Sequence, residues 1–147
     1  MFFLKLEDFM DTSFKARSFK FVYWIMLILL VGDTLDTIYS TVVEGYLGEG
    51  SAFPGSDVLF KATTTDMVVF LIILIGVIYG IYLLYKLKKS GGYWVIGSNI
   101  MFVIYASIFG PIAEVGFSSV LPIIAIYLAI YIIVAIGVPW YYSEKFD

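Results

Sequence analysis

The sequence predicts an all-α integral membrane protein, a four-transmembrane-helix bundle connected up-down-up-down, with a short N-terminal amphipathic interfacial helix. Hydrophobic residues make up 61% of the 147 residues, whereas soluble domains contain about 45–50%. Most of them fall in four runs of about the 20 residues that an α-helix needs to cross a bilayer. Little sequence is left for a soluble domain, so residues 1–147 are expected to form a single membrane domain.

The chain contains no cysteine and no histidine. This composition excludes disulfides, thiol redox chemistry, zinc sites built from Cys and His, and His-ligated haem. It also removes the usual general base of enzymes. We therefore expect no cofactor, no metal centre and no enzymatic activity. A net charge of −3 argues against nucleic acid as a partner.

Residues 1–18 are expected to form the interfacial helix. Apolar residues recur at helical spacing from Phe2 to Phe14, with polar residues mostly between them. Acidic residues occupy positions where a secretory signal would carry basic ones, which argues against a signal peptide. The same pattern also fits a helix packed on a neighbouring protein, and both interpretations stay open.

The first span, expected at about residues 19–43, carries the most unusual pattern in the chain. Its apolar run, residues 21–32, rises only about 18 Å as a helix, against roughly 30 Å of hydrocarbon. The helix must therefore continue and carry acidic residues into the outer part of the membrane. At about 100° per residue, the polar residues of the next three turns share one face, and they are Asp33, Asp36, Thr37, Ser40 and Glu44.

This acidic face is the candidate polar or ion-binding site, because charged side chains are not stable against lipid. Counting helical rises from the inner ends of the spans places Ser107 and Tyr127 at about the depth of Asp33. We therefore expect one of these two hydroxyls to donate a hydrogen bond to the Asp33 carboxylate. The candidate site accordingly comprises Asp33, Asp36, Thr37, Ser40, Ser107 and Tyr127.

The connection after the first span, from about Gly45 to Lys61, is rich in glycine and is predicted to be a loop. Thr65 or Asp66 is predicted to cap the next helix, since these side chains accept bonds from backbone amides that would otherwise lack partners. The capping role is favoured over a role of Asp66 in the site.

The second, third and fourth spans are expected at residues 67–85, 93–110 and about 118–141. A tight turn at residues 90–92 makes the second and third spans antiparallel neighbours. Each span carries small residues on one face, which allows another helix to approach closely. The predicted helix-packing residues are Gly76 and Gly80 in the second span, Asn99, Ala106 and Gly110 in the third, and Ala125 and Ala129 in the fourth.

The basic residues set the expected orientation. Of the nine lysines and arginines, all but Lys61 fall on the same side of a four-span arrangement. The positive-inside rule then places both termini in the cytoplasm, in a multi-pass protein of the cell membrane.

Two functions are expected from these features. The first is a non-catalytic accessory or structural subunit of a larger membrane complex, with membrane lipid and either other membrane subunits or further copies of the chain as partners. Small-residue faces that fit neighbouring helices support it. The alternative is a small cation- or proton-coupled transporter or channel that uses the acidic face of the first span. An intramembrane enzyme is disfavoured, because Asp33 and Asp36 lie on one helix and no nucleophile motif is present.

Overall fold

A computed structural model describes residues 2–52, 59–110 and 116–147, with side chains from residue 18 onward except at 52, 59, 117 and 119. Within these ranges, four helical segments are long and apolar enough to cross a membrane. They are Ser18–Leu47, Thr64–Tyr85, Ser90–Ile108 and Val120–Tyr141. The chain is therefore an all-α, multi-pass membrane protein, as its sequence predicts.

The first helix, α1 (Phe2–Ile38), is continuous with a nine-residue π-helix, π1 (Tyr39–Leu47). No proline or glycine precedes Gly32, so nothing interrupts the helix at the boundary predicted near residue 18. Residues 2–18 thus form the first turns of α1 rather than a separate helix, and their place in the membrane interface stays a prediction. The span also ends later than expected, at Leu47 instead of residue 43.

The loop after π1 contains a short antiparallel pair of strands, β1 (Ser51–Ala52) and β2 (Leu59–Phe60). Residues between the two strands lie outside the described part of the chain. The pair is fastened to π1 by two hydrogen bonds. Ala62 N donates to Gly45 O at 2.8 Å, and Lys61 Nζ donates to Gly48 O at 2.5 Å. The predicted loop therefore folds back onto the end of the first span.

Helix α2 (Thr64–Tyr85) begins with a capping box. The Thr63 hydroxyl accepts from Asp66 N at 3.2 Å, and the Asp66 carboxylate accepts from Thr63 N at 2.9 Å. The N-cap is thus Thr63, which corrects the predicted Thr65 or Asp66. Asp66 takes part from the third helical position, because there its side chain reaches back to the free amide of the cap residue.

Helix α3 (Ser90–Ile108) packs along α2. A Cβ added to Gly80 would lie 2.7 Å from Gly91 O and 2.8 Å from the Val95 side chain. A Cβ added to Gly76 would meet the Ser98 hydroxyl. Both glycines therefore stand where α3 approaches closely, and side chains at these positions would push the two helices apart.

The last span consists of α4 (Phe117–Ile132), a π-helical segment π2 (Ile133–Gly137) and the single turn α5 (Val138–Tyr141). Pro122 lies within the first two turns of α4. The span touches α3 closely at π2, where a Cβ on Gly92 would overlap Ala135 O. Gly91 and Gly92 lie inside α3, although the sequence pattern assigned them to a turn.

The bundle has two unlike ends. The closed end holds the α2–α3 turn, residues 86–89, and the C-terminal segment, residues 142–147. There, Asp147 N donates to Leu87 O at 2.8 Å, and Lys89 N donates to Asp147 O at 3.0 Å. The largest buried cluster fills this end with residues from all four spans, and its members are Met26, Leu27, Leu30, Leu84, Val95, Ile96, Ala135, Tyr142 and Phe146.

The open end holds π1, the two strands, the C-terminal end of α3 and the N-terminal end of α4. Its buried clusters are smaller and separate. One joins α3 to α4 through Ala106, Val120 and Ile124. The other joins the strands to α2 through Ala62, Met67 and Phe70. Between these two clusters the four spans stand apart and enclose a cavity.

Candidate functional site

The cavity at the open end has a volume of about 290 Å³, and every span contributes to its wall. Its lining divides into three chemical groups. The carboxylates and the amide are Asp33, Asp36, Asp66 and Asn99. The hydroxyls are Thr37, Ser40, Thr41, Ser51, Tyr105, Tyr127 and Tyr131. The rest are apolar or small, namely Gly45, Phe60, Ala62, Phe70, Phe102, Val103, Ala106, Ile123, Ile124 and Leu128.

Helix α1 and π1 supply the acidic wall. Asp33, Thr37 and Ser40 are half-buried, whereas Asp36 is exposed, and all four line the cavity. Glu44, which the helical-wheel argument placed on the same face, is exposed and does not line it. Glu44 lies in π1, where each turn contains more residues than the 3.6 of an α-helix. Its side chain is therefore rotated away from the face that an α-helix would give it.

The expected hydrogen bond to Asp33 is not formed by either predicted donor. The Ser107 hydroxyl donates instead to Val103 O in its own helix, at 2.7 Å, and Ser107 does not line the cavity. Tyr127 does line the cavity, but it is 49% exposed and forms no hydrogen bond with a described residue. Ser107 therefore lies outside the cavity that the aspartates line, while Tyr127 shares that cavity with them.

The other hydroxyls near Asp33 are also engaged with backbone. Thr37 Oγ1 donates to Asp33 O at 2.9 Å, and Thr34 Oγ1 donates to Leu30 O at 2.7 Å. Hydroxyls of serine and threonine commonly bond to the carbonyl one turn earlier in a helix. As a result, no residue in the described part of the chain donates a hydrogen bond to the carboxylate of Asp33 or Asp36.

Asp66 differs from these two aspartates because its carboxylate is fully used. One oxygen accepts from Thr63 N in the capping box, and the other accepts from the hydroxyl of Tyr105 on α3. This second bond ties the first turn of α2 to the last turns of α3 at the cavity wall. Asp66 thus takes part in the capping box from the third helical position and also lines the cavity.

The predicted helix-packing residues have different surroundings. Asn99 lines the cavity and donates through Nδ2 to Val95 O at 2.8 Å. Ala106 is buried against α4. Gly110 follows the end of α3, and a Cβ added to it would meet Ala106 of that same helix rather than a residue of another helix. Ala125 and Ala129 are exposed on α4, so these two do not contribute to packing within the bundle.

A second, smaller cavity of about 40 Å³ adjoins the first on the side of the closed end. Asp33, Thr37, Asn99 and Tyr131 line both cavities. The two cavities share part of their walls and together form one recess, called the acidic recess below, in which the aspartates stand among mostly apolar surface. The recess stops above the large buried cluster.

Sequence reasoning missed several residues of this wall. Thr41, Tyr105 and Tyr131 line the cavity but are not among the residues predicted for the site. A signal was present on α3, where Asn99, Phe102 and Tyr105 follow each other at intervals of three residues and so lie within about one side of the helix.

Among the residues that the structure describes, no three His, Cys, Asp or Glu side chains lie close enough together to hold a metal ion. The recess therefore offers the carboxylates of Asp33 and Asp36, which accept no hydrogen bond from a described residue, and that of Asp66, which is engaged by Thr63 and Tyr105. No family model, no curated protein and no solved structure matches the chain.

Proposed function

We propose that this chain is a small membrane protein that binds a cation in the acidic recess and acts as a cation- or proton-coupled transporter. One observation carries the proposal. Asp33 and Asp36 line a cavity within the bundle, and no described residue donates a hydrogen bond to either carboxylate. A carboxylate withdrawn from bulk water without a partner costs several kcal/mol. A bound cation or proton would offset that cost.

The charge around the entrance supports the same function. In the described residues, the open end carries Asp33, Asp36, Glu44, Glu49 and Asp66 against a single lysine, Lys61. The Lys61 ammonium group donates a hydrogen bond to Gly48 O. A recess lined by one sign of charge raises the local concentration of counter-ions and speeds their association.

The inward extension of the recess supports transport rather than surface binding alone. The smaller cavity leads from Asp33 past Ile73 and Val77 toward the closed end, where the large buried cluster stops it. Release on the other side would require a second arrangement in which this cluster opens and the entrance closes. The π-helical turns of π1 and π2 lie on the two sides of the recess, and π-helical turns are frequent at functional sites.

The test is ion flux in liposomes that contain the purified protein. The double variant Asp33→Asn with Asp36→Asn removes two charges and keeps the shape of both side chains. The matched control is Glu44→Gln with Glu49→Gln, which removes two charges from exposed positions outside the recess. We expect the wild type and the control to carry a cation current or to dissipate a pH gradient, and the Asp33/Asp36 variant to lose it at an unchanged melting temperature.

Two results would contradict the proposal. One is the absence of any flux, and of any binding of protons or cations, by the wild type. The other is an equal flux in the Asp33/Asp36 variant, since the charge of these residues would then play no part in transport.

The second proposal is the accessory or structural subunit expected from the sequence. The observation that favours it is the exposure of Ala125 and Ala129 on α4, since small residues on an outward face allow a neighbouring helix to approach. A partner's donor would then serve Asp36. Changing both alanines to leucine should release a co-purified chain in mild detergent without lowering bundle stability. A chain purified alone from native membranes would contradict this function.

We also propose the up-down-up-down arrangement with both termini in the cytoplasm of a cell-membrane protein. The close approaches of Gly76 to Ser98 and of Gly80 to Gly91 support antiparallel α2 and α3. The lysines of the closed end support its cytoplasmic side. Single cysteines introduced by Ser51→Cys and Ser143→Cys should then differ in their reaction with a membrane-impermeant reagent added to intact cells. The cysteine at position 51 should react, and the cysteine at position 143 should react only after the cells are permeabilised.

A further inference from the structure

The α2–α3 turn at the closed end carries three lysines, Lys86, Lys88 and Lys89, of which the first two are exposed and the third is partly buried. Lys88 forms an ion pair with Asp147 at 3.1 Å. In the described part of the chain, no carboxylate pairs with Lys86 or Lys89. The turn therefore presents two ammonium groups whose charge the protein does not neutralise.

Aromatic rings hold both of these ammonium groups in place. Lys89 Nζ lies 4.8 Å from the ring centroid of Trp140, and Lys86 Nζ lies 5.7 Å from the ring of Tyr85. Trp140 is in turn oriented by a hydrogen bond of 3.2 Å from its Nε1 to Tyr93 Oη. Tryptophan and tyrosine rings are enriched at the level of lipid headgroups, and a cation over such a ring gains electrostatic attraction.

The backbone of the turn is also fixed. Leu87 has a φ of 62°, a left-handed conformation that a leucine rarely adopts. Hydrogen bonds from Asp147 N to Leu87 O and from Lys89 N to Asp147 O keep it there. The two lysines without a carboxylate partner therefore project from a turn whose backbone is hydrogen-bonded, so binding of a ligand need not order that backbone.

We propose that this turn is a binding site for an anionic phospholipid, whose headgroup phosphate is attracted by the ammonium groups of Lys86 and Lys89 and whose acyl chains lie along the apolar surface below Trp140. The site is independent of the acidic recess at the other end. Charge complementarity and depth select the occupant, because the ammonium groups stand beside exposed interfacial rings. A lipid supplies both an anion at that level and hydrocarbon beneath it, whereas a soluble anion supplies only the charge.

The test uses quenching of tryptophan fluorescence by brominated lipid. Trp24→Phe and Trp94→Phe leave Trp140 as the only tryptophan, which reports on lipid at the proposed site. Quenching by brominated phosphatidylglycerol and by brominated phosphatidylcholine is compared in mixed bilayers of the full chain. A lysine near an anionic surface contributes about fivefold in affinity, so we expect a preference for phosphatidylglycerol of roughly tenfold or more.

Variants separate a site from a general charge effect. Lys86→Gln with Lys89→Gln should reduce the preference to near unity. Lys86→Arg with Lys89→Arg should keep it. The control Lys61→Gln with Lys88→Gln removes the same number of charges, one at the open end and one already paired, and should leave most of the preference. Melting temperatures in detergent check that each variant is folded.

Three outcomes would overturn the assignment. Equal quenching by the two lipids in the protein that carries Trp140 alone, with all its lysines, would show that the turn does not select anionic lipid. If the preference for phosphatidylglycerol survives in Lys86→Gln with Lys89→Gln, these two lysines are not its cause. The same holds if the preference is lost equally in the Lys61→Gln with Lys88→Gln control. Loss of the preference on adding inorganic phosphate at constant ionic strength would identify a site for free phosphate instead.

Discussion

The closed and open ends of the bundle are built from the same four spans but are packed in opposite ways. At the closed end, Gly80 and Gly91 bring α2 and α3 together, and Gly92 admits the backbone of π2. At the open end, the corresponding positions carry large side chains, such as Phe70 on α2 and Phe102 on α3, and a cavity remains. Close packing between α2, α3 and π2 thus follows Gly80, Gly91 and Gly92, and the polar residues collect where α2 and α3 carry phenylalanines instead.

The difference matters because a membrane protein gains little from burying apolar residues that lipid would also solvate. Helices in lipid associate through close van der Waals packing and hydrogen bonds. The closed end supplies that packing. The open end can therefore hold carboxylates in a recess, since the bundle does not depend on that half for its cohesion. The following predictions test this division, starting with the largest effect.

The largest expected effect is at the closed end. A Cβ on Gly92 would overlap the backbone oxygen of Ala135, which cannot rotate away. Overpacking costs about 1–3 kcal/mol, so Gly92→Ala should lower the free energy of unfolding by about 2 kcal/mol, measured by unfolding in mixed detergent. Gly97→Ala on the same helix is the control. Nothing lies within 4 Å of its added Cβ, so it should be neutral or stabilising by up to about 1 kcal/mol.

An intermediate effect is expected at the polar link across the open end. Asp66→Ala removes both the capping interaction and the acceptor for Tyr105. A lost N-terminal cap costs about 0.5–2 kcal/mol, and we expect a loss of about 1–2 kcal/mol in total. Tyr105→Phe should lose about 1 kcal/mol. Tyr127→Phe serves as the comparison, since this hydroxyl has no described partner, and an equal loss there would discount the Asp66–Tyr105 bond.

The smallest effect on stability is expected inside the recess. Asn99→Leu replaces an amide that lines both cavities and bonds only to its own helix. Leucine has the same number of side-chain heavy atoms and the cavity has space for its methyl groups, so the free energy of unfolding should change by less than about 1 kcal/mol. Val95→Leu, one turn nearer the closed end at a fully buried position, should cost about 1–3 kcal/mol. Equal costs at the two positions would mean that the halves are packed alike.

Much of the fold could be predicted because apolar runs of bilayer length leave few alternatives. The residues at which the spans begin and end could not be predicted as well from the sequence. The first span continues to Leu47 because its end winds as a π-helix, and no local pattern in residues 39–47 announces that change. Residues 63–66 can all cap a helix. Thr63 is the N-cap because its hydroxyl and backbone amide both bond to Asp66 three residues later.

The candidate site was predicted in part. Asp33, Asp36, Thr37, Ser40 and Tyr127 do line one cavity, because both depth and helical face could be estimated for the first span. Ser107 was chosen by depth alone, and depth does not determine the side to which a residue of another helix points. The role of Gly92 was hidden for a similar reason, since its partner, Ala135, belongs to a span far along the sequence.

The hydrogen bonds from Asp147 to the α2–α3 turn impose an order on biogenesis. Leu87 and Lys89 are made early, but their backbone partner is residue 147, which follows the whole last span. Until then, the turn is held only by its local bonds, such as those from Leu87 N to Leu84 O and from Lys88 N to Leu83 O. The left-handed backbone of Leu87 gains its two further bonds when residue 147 has been synthesised. Ribosome-stalled chains that end before this residue should hold a turn that is open to proteolysis, and release of the longer chain should close it.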